Sequence, residues 1–242
     1  GDTGDDFILG QQGDDWIYGG AGEDDLIGGH NVVGGADGDD RIYGGNRPPL
    51  PQADLMLESY ATVGDGADVI LGDNGLVTRE LLTADPSSWK RHPAPFADVI
   101  RDVQLFDNAD RIGGDDALYG DAGRDVLYGQ RGDDALGGGT GDDDLIGGLG
   151  SDRLAGGLGN DILIADLGYV HRTLNGDGSA RVNADGSQHR DVYLEEVASL
   201  TGSIDLDTTP LRAADPDLAE KILRADLAVL AGGFAANGAK HL

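Results

Sequence analysis

The sequence of 242 residues contains no cysteine and is poor in basic and aromatic residues. The absence of cysteine excludes a disulfide framework and thiol chemistry, and it is compatible with an extracellular protein held together by metal ions. There are 45 acidic and 17 basic side chains, so the formal net charge is −28. This charge argues against binding to nucleic acid or anionic lipid and favours cations. With only 5% aromatic residues, a compact apolar globule does not explain the whole chain.

No apolar run approaches the roughly 18 residues of a membrane-spanning helix. We also find no signal peptide. Because Gly1 already lies inside a repeat, we expect the chain to be an excised or processed piece of a longer protein. High charge with low hydrophobicity is also typical of a disordered acidic tail. Composition does not distinguish a cation-binding protein from a disordered acidic tail, whereas periodicity does.

Glycine, at 42 residues, recurs with aspartate in blocks of nine. From Gly114 the chain reads GDDALY, GDAGRDVLY, GQRGDDALG, GGTGDDDLI, GGLGSDRLA and GGLGNDILI. The N-terminal end reads GDTGDDFIL, GQQGDDWIY and GGAGEDDLI, and isolated copies follow at GGADGDDRIY, GADVIL and NADRIG. Internal repetition of this length indicates a repeat architecture.

Twelve aspartates share one phase, because Ile or Leu stands two positions after each of them. These aspartates are Asp6, Asp15, Asp24, Asp40, Asp68, Asp110, Asp116, Asp125, Asp134, Asp143, Asp152 and Asp161. The apolar residues that follow them are Ile8, Ile17, Leu26, Ile42, Ile70, Ile112, Leu118, Leu127, Leu136, Leu145, Leu154 and Leu163. A disordered tract has no reason to keep such a phase.

The pattern resembles the GGxGxDxUx nonapeptide of the RTX (repeats-in-toxin, haemolysin-type) family over residues 1–45, 62–75 and 108–167. The resemblance implies an all-β fold, a calcium-stabilised parallel β-roll that is a β-helix-like solenoid, with several Ca²⁺ ions between loops on the same edge. It also implies export of the unfolded chain by type I secretion, followed by folding outside the cell.

One repeat accommodates six loop residues and a three-residue strand whose middle residue points inward. With two repeats per coil, Asp116 lies near Asp134, and Asp125 lies near Asp143. Glycine loops leave carbonyl oxygens bare, and Ca²⁺ prefers six to eight oxygen ligands. We therefore predict that the twelve aspartates are metal ligands. The same-edge partners of Asp40, Asp68 and Asp110 are not evident.

Metal is expected to be obligatory for folding. One buried Ile or Leu per repeat does not offset the backbone entropy of nine ordered residues, and stacked carboxylates repel one another. Ion binding then becomes folding energy. The additional acids Asp5, Asp14, Asp133 and Asp142 are expected to face solvent.

We divide the chain into N-terminal repeats at 1–45, insertions at 46–107 with an isolated repeat near 62–75, a main array at 108–167, and a capping segment at 168–242. The second insertion predicts a strand pair that projects from the roll. Its tip carries Trp89, Lys90, Arg91 and His92. This tip is interpreted either as a packed or solvated loop or as a binding site. The capping segment predicts a hairpin, then an amphipathic helix from Asp215 that covers the open end of the roll or binds a partner.

The first functional hypothesis is a calcium-dependent folding, secretion and binding module of a large exported bacterial protein, a toxin, adhesin or exoenzyme. It would be secreted or displayed at the cell surface. The alternative is a surface-layer or filament subunit that assembles through calcium-loaded rolls. The outward aromatics would then form a partner or self-assembly face, unless the insertions cover them: Phe7, Trp16, Tyr18, Tyr43, Tyr119 and Tyr128.

The sequence shows no catalytic constellation, so we do not expect an enzyme, and a hydrolase site within 44–107 is the least supported hypothesis. The expected partners are calcium ions, with self-assembly or a cell-surface ligand in addition, and no nucleic acid.

Overall fold

The computed structural model describes residues 1–46, 64–83, 85–106 and 112–194, and these residues form β strands and no helix. We number the strands β1 to β17 in chain order. Those of the repeats are β1 Phe7–Leu9, β2 Trp16–Tyr18, β3 Asp25–Ile27, β4 Arg41–Tyr43, β5 Val69–Leu71, β10 Ala117–Ala122, β11 Val126–Arg131, β12 Ala135–Thr140, β13 Asp144–Leu149, β14 Arg153–Leu158 and β15 Ile162–Ile164. The others are β6 Gly75–Arg79, β7 Leu81–Leu82, β8 Asp85–Trp89, β9 Arg101–Leu105, β16 Gly168–Arg172 and β17 Arg190–Leu194.

Successive repeats alternate between two parallel sheets. One sheet has six strands in the order β1-β3-β5-β11-β13-β15, and the other has five in the order β14-β12-β10-β4-β2. Repeats two apart along the main array are in register, so Leu118 pairs with Leu136 and Leu127 pairs with Leu145. The predicted architecture, a parallel β-roll with two repeats per coil, is confirmed.

Two of the three isolated repeats, those of Asp40 and Asp68, are hydrogen-bonded into the same two sheets. Strand β4 pairs with both β2 and β10, and β5 pairs with both β3 and β11. The roll therefore continues without a break from the N-terminal repeats to β15. The insertions leave it through the loops and do not shift the strand register.

The core between the sheets consists of the middle residues of the strands. The cluster is Ile17, Leu26, Ile42, Ile70, Leu118, Leu127, Leu136 and Leu145, with Ile8, Leu154 and Leu163 packed against it. Only Ile112 of the twelve predicted inward residues is missing, because it is half-buried and lies in no strand. Asp110 and Asp116 are too close in sequence for a separate nine-residue repeat between them.

Two antiparallel hairpins cover the outer face of the six-stranded sheet. Strand β6 pairs with β9, and β16 pairs with β17. Their apolar side chains form a second cluster with outward residues of the roll: Ile27, Val69, Leu71, Val77, Tyr128, Ile146 and Ile164, joined by Leu9, Val103, Leu105, Val126, Ile162, Val170, Val192 and Leu194. The strand pair predicted for the second insertion is present, but it packs on the sheet instead of projecting from it.

Outward aromatic residues on the five-stranded sheet form a stack. The Tyr18 and Tyr43 rings are 5.0 Å apart between centroids, and the Tyr43 and Tyr119 rings are 5.1 Å apart. At the N-terminal end of the roll, Phe7 and Trp16 are 49% and 51% exposed. Apart from these two, the predicted aromatic face is occupied by contacts within the chain.

The predicted C-terminal helix from Asp215 and the predicted ligand Asp110 lie outside the described residues. The part of the chain that the structure describes holds no helix with the length and apolar character needed to cross a bilayer.

Replacement of Leu136 by aspartate is expected to prevent folding even in saturating Ca²⁺. The side chain is 1% exposed in the central core, and a buried, unpaired charge costs several kcal/mol against a total stability of about 5–15 kcal/mol. Circular dichroism in excess Ca²⁺ measures the loss of β structure. The matched control is Leu158→Asp in β14, at a side chain that is 65% exposed, and it should fold. A native spectrum for Leu136→Asp would contradict the assigned core.

Candidate metal centre

Eleven of the twelve predicted aspartates line the two edges of the roll as hydrogen-bonded ladders. In each ladder the backbone N–H of one aspartate donates to Oδ1 of the next, at 2.7–3.1 Å. The first ladder runs through Asp6, Asp24, Asp68, Asp125, Asp143 and Asp161. The second ladder runs through Asp15, Asp40, Asp116, Asp134 and Asp152. The strand register thus brings together carboxylates that are far apart in sequence.

The ladders give Asp40 and Asp68 the partners that were not evident from the sequence. The Asp40 N–H donates to Asp116 Oδ1 at 2.8 Å across the long insertions, and the Asp68 N–H donates to Asp125 Oδ1 at 2.8 Å. Asp110, the twelfth predicted ligand, lies outside the described residues.

The second carboxylate oxygen of most ladder residues has no partner. Within the described residues, Oδ2 is buried and accepts no hydrogen bond at Asp15, Asp24, Asp40, Asp68, Asp116, Asp125, Asp134, Asp143 and Asp152. An ionised carboxylate oxygen that is removed from water without a partner is costly. The ladders therefore present a row of oxygens that require a cation or a proton.

Each unpartnered oxygen points into a space that a glycine leaves empty. A methyl carbon built on Gly129 would overlap both Asp134 Oδ2 and the carbonyl oxygen of Gly147. Gly138 stands in the same relation to Asp143 Oδ2 and the carbonyl oxygen of Gly156. We call this space, bounded by a glycine Cα, a carboxylate Oδ2 and a carbonyl oxygen, the glycine cradle.

Burial raises the pKa of the ladder carboxyls. Desolvation raises the pKa of Asp134 and of Asp143 to about 8, although an N–H donor lowers each value in part. At Asp116 and Asp125, desolvation comes first and the neighbouring ladder carboxylate second, and the pKa lies well above its usual range. Without a cation, these groups are therefore driven to hold protons near neutral pH.

Three further carboxyls, of which Asp73 is buried and Asp37 and Asp65 are half-buried, stand beside the ladders and were missed by the sequence analysis. Desolvation raises the pKa of Asp37 to about 6, of Asp65 to about 7 and of Asp73 to about 8. Asp65 Oδ2 accepts the N–H of Ala122 at 3.1 Å, so this side chain reaches the next coil. These acids occur in loops of the interrupted repeats, where aspartate replaces a variable or glycine position of the nonapeptide, and that substitution was the available signal.

The acids directly before the ladder residues form a separate outer row. The Asp133 N–H donates to Asp115 Oδ1 at 2.9 Å, and the Asp115 N–H donates to Asp39 Oδ1 at 3.0 Å. Asp5, Asp14 and Asp133 are exposed, as predicted. Asp142, also predicted to face solvent, is half-buried and accepts the N–H of Asn160 at 3.0 Å.

At the insertion tip, residues 89–92, Lys90 and Arg91 form ion pairs with other parts of the chain. Lys90 Nζ lies 2.8 Å from Glu80 Oε2, and Arg91 forms an ion pair with Glu23. These contacts favour the packed-loop interpretation of the tip over the binding-tip interpretation.

No group of three or more acidic, histidine or cysteine side chains is arranged to hold a metal ion in the described ranges. Any ion at the ladders must therefore take many of its ligands from backbone carbonyls. Carboxylate and carbonyl oxygens without nitrogen or sulfur are the donor set of a hard cation, and a loop-built, flexible cage suits Ca²⁺ better than Mg²⁺, which demands near-octahedral geometry. The residues fit calcium.

Two parallel sheets with acidic, glycine-rich edges define a cation-binding β-roll. Residues 1–30, 112–145 and 137–169 match the family model of the RTX calcium-binding nonapeptide repeat. Over these residues the roll is therefore similar to the RTX calcium-binding nonapeptide repeat. No curated protein and no solved structure matches the chain.

The metal-free roll is expected to gain stability as the pH falls from about 8 to about 5. A carboxyl whose pKa is higher in the folded than in the unfolded chain stabilises the fold fully below the unfolded value of 3.8. That stabilisation is lost as the pH rises through the folded values of about 7 for Asp40 and about 8 for Asp134. Circular dichroism in buffer stripped of divalent ions measures the change.

High salt provides the control, because it screens repulsion between exposed charges but leaves the desolvation of buried carboxyls in place. The pH dependence should persist in high salt. Metal-free β structure that decreases between pH 8 and pH 5 would contradict the assigned burial.

Filling a glycine cradle is expected to raise the calcium concentration needed for folding. Gly129→Ala puts a methyl group where Asp134 Oδ2 and the Gly147 carbonyl lie, without the strain of a positive φ. The matched control is Gly176→Ala, because a methyl group there meets no atom within 4 Å. A calcium titration followed by circular dichroism should show a several-fold higher midpoint for Gly129→Ala alone. Equal midpoints would refute the cradle as part of a site.

Proposed function

We propose that the protein is a calcium-dependent folding and binding module of a large exported protein, and that the two ladders hold several Ca²⁺ ions between successive coils. The proposal rests on one observation, the row of buried Oδ2 atoms without partners that face the glycine cradles. The match to calcium-binding repeats supports calcium as the ion.

Energetics support a folding role for the ion. Each coil contributes only two inward apolar residues to the core. Its glycine-rich loops lose much backbone entropy on ordering. Within the described residues, the coil also buries carboxylates whose Oδ2 atoms accept no hydrogen bond. A ligand that binds only the folded chain stabilises it in proportion to the logarithm of its concentration, so calcium acts as the switch for folding.

This dependence suits a protein that is exported unfolded. Extracellular calcium modules commonly bind at about 10⁻⁴–10⁻³ M, so a chain of this kind stays unfolded where free Ca²⁺ is low and folds where it is high. We propose a secreted or surface location on these grounds, with folding after type I secretion. We also propose that residues 1–45 and 108–167, with the isolated repeat near 62–75, are the calcium-binding parts. The rest of residues 46–107 is then the inserted part, and residues 168–242 are a cap on the roll.

Neutralising ladder carboxylates is expected to raise the calcium midpoint of folding. Asp134→Asn and Asp143→Asn each keep an oxygen that can accept the ladder hydrogen bond but remove the charge at the cradle. Each should shift the midpoint upward several-fold in a calcium titration followed by circular dichroism and calorimetry. Asp133→Asn is the control, since Asp133 accepts the Ser151 N–H at 2.9 Å but is exposed.

The result that counts against the proposal is an unchanged midpoint for both ladder variants. A second is β structure that remains undiminished at neutral pH in excess chelator. Titration with Mg²⁺ alone provides the selectivity control and should not fold the protein in the concentration range where Ca²⁺ does.

A further inference from the structure

The two hairpins on the six-stranded sheet share one sequence pattern. Their first strands read GLVTR at 75–79 and GYVHR at 168–172, and their second strands read RDVQL at 101–105 and RDVYL at 190–194. Three residues connect each hairpin to the roll strand before it, β5 or β15, and these residues include an aspartate in both cases. The pattern therefore comprises a roll repeat followed by a hairpin.

The pairing of the two hairpins is identical. In the first, Gly75 pairs with Leu105 and Arg79 pairs with Arg101. In the second, Gly168 pairs with Leu194, Val170 with Val192 and Arg172 with Arg190. Each hairpin thus carries two arginines directly opposite each other. They lie where the first strand ends and the second begins, at the base of the connecting segment.

In the first hairpin the two arginines enclose one aspartate of the roll. Arg79 Nε donates to Asp25 Oδ2 at 2.5 Å, and Arg101 Nε donates to Asp25 Oδ1 at 3.0 Å. Asp25 lies in β3, next to β5, and is paired with Val69. The Asp25 side chain is 2% exposed.

The second hairpin repeats this arrangement, with one arginine on each carboxylate oxygen of a single aspartate. Arg172 Nη2 lies 3.1 Å from Asp144 Oδ2, and Arg190 Nη1 lies 2.8 Å from Asp144 Oδ1. Asp144 lies in β13, next to β15, and is paired with Ile162. The Asp144 side chain is also 2% exposed.

The buried aspartate is specific to the two strands that the arginine pairs contact. The outward residues that begin the six strands of this sheet are Phe7, Asp25, Val69, Val126, Asp144 and Ile162. An aspartate stands there only in β3 and β13, each the neighbour of a strand that leads into a hairpin. The sequence pattern, the strand register and the ion pairing are therefore the same in the two hairpins.

The segments between the paired strands differ, although their bases agree. Residues 80–100 contain the Trp-Lys-Arg-His tip, while residues 173–189 contain two copies of an Asn-x-Asp-Gly-Ser turn. Agreement confined to the base indicates that the arginine pair and its aspartate are the common element and that the tip varies independently.

We propose that the chain contains two copies of one unit, a roll repeat followed by an arginine-pair hairpin, and that each hairpin is a metal-independent fastener which locks its coil to the preceding coil through one buried aspartate. The guanidinium fork suits this task because it binds a carboxylate oxygen in a fixed geometry and stays charged when buried. The fastener binds its carboxylate on the sheet face, whereas the ladder carboxylates line the edges. Arg190 Nη1 also donates to the carbonyl oxygens of Asp142 and of the ladder residue Asp143.

A double-mutant cycle on Arg190 and Asp144 tests the second copy. Either Arg190→Gln or Asp144→Asn leaves unbalanced charge buried, so each should lower the urea midpoint of unfolding clearly in saturating Ca²⁺. The double variant should be much less destabilised than the two effects combined. Arg153→Gln is the control, because Arg153 is exposed in β14, and it should leave the midpoint unchanged.

The same cycle on Arg101 and Asp25 tests the first copy and should give coupling of the same sign and similar size. Independent effects in both cycles would overturn the proposal, and so would coupling in one copy alone. If a glutamine variant does not fold, the lysine variant at that position replaces it in the cycle, and lysine should lower the midpoint less than loss of the charge does.

The proposal can fail separately from the calcium function. Calorimetry on Asp144→Asn and Asp25→Asn should give the same number of bound Ca²⁺ ions as the unsubstituted protein, because neither residue belongs to a ladder. Loss of bound ions in these variants would place the two aspartates in the metal sites and overturn the fastener. An unsubstituted chain that binds no calcium would refute the proposed function, and the urea cycles would then be run in the buffer in which the chain folds.

Discussion

The roll depends on the different roles of the two oxygens in each ladder carboxylate. Oδ1 accepts the backbone N–H of the aspartate in the neighbouring coil, at 2.8 Å from Asp116 N to Asp134 Oδ1, and this bond joins successive coils in register. Oδ2 is left buried and unpartnered beside a glycine. The first oxygen sets the register that stacks the inward Ile and Leu side chains. The second makes that register unfavourable unless a cation neutralises it, so fold and ion requirement arise from the same group.

The ladder also explains why long insertions are tolerated. A strand such as β5 is held by hydrogen bonds to β3 and β11 and by carboxylate bonds at the adjacent edge, and none of these contacts involves the chain that connects consecutive repeats. The cost of closing a loop grows only slowly with its length. An insertion that leaves through a loop therefore adds little strain, and the hairpins use this freedom to fold back and cover the apolar outer face of one sheet.

Periodicity predicted the inward residues and the stacking of Asp116 on Asp134, which repeat at short range. The predicted strand length of three residues is found in β1 to β5 and β15, whereas β10 to β14 extend to six residues because the residues after the inward position also pair with the next coil. Periodicity did not reveal that Asp40 stacks on Asp116, because that contact crosses the insertions and depends on which strands share a sheet. The acids Asp37, Asp65 and Asp73 were missed because their burial arises from neighbouring coils. The arginine pairs were missed for a related reason, since cross-strand register in a hairpin with a long tip is not visible in spacing.

The edges and the sheet face neutralise buried acid in different ways. On the face, guanidinium groups of the hairpins donate to both carboxylate oxygens of Asp25 and of Asp144. At the edges, no group of the described residues donates to Asp134 Oδ2, and a methyl group on Gly129 would overlap that oxygen and the carbonyl oxygen of Gly147. The aspartates on the face are therefore paired by the protein's own arginines, whereas the ladder carboxyls depend on a cation or a proton from the surrounding solution.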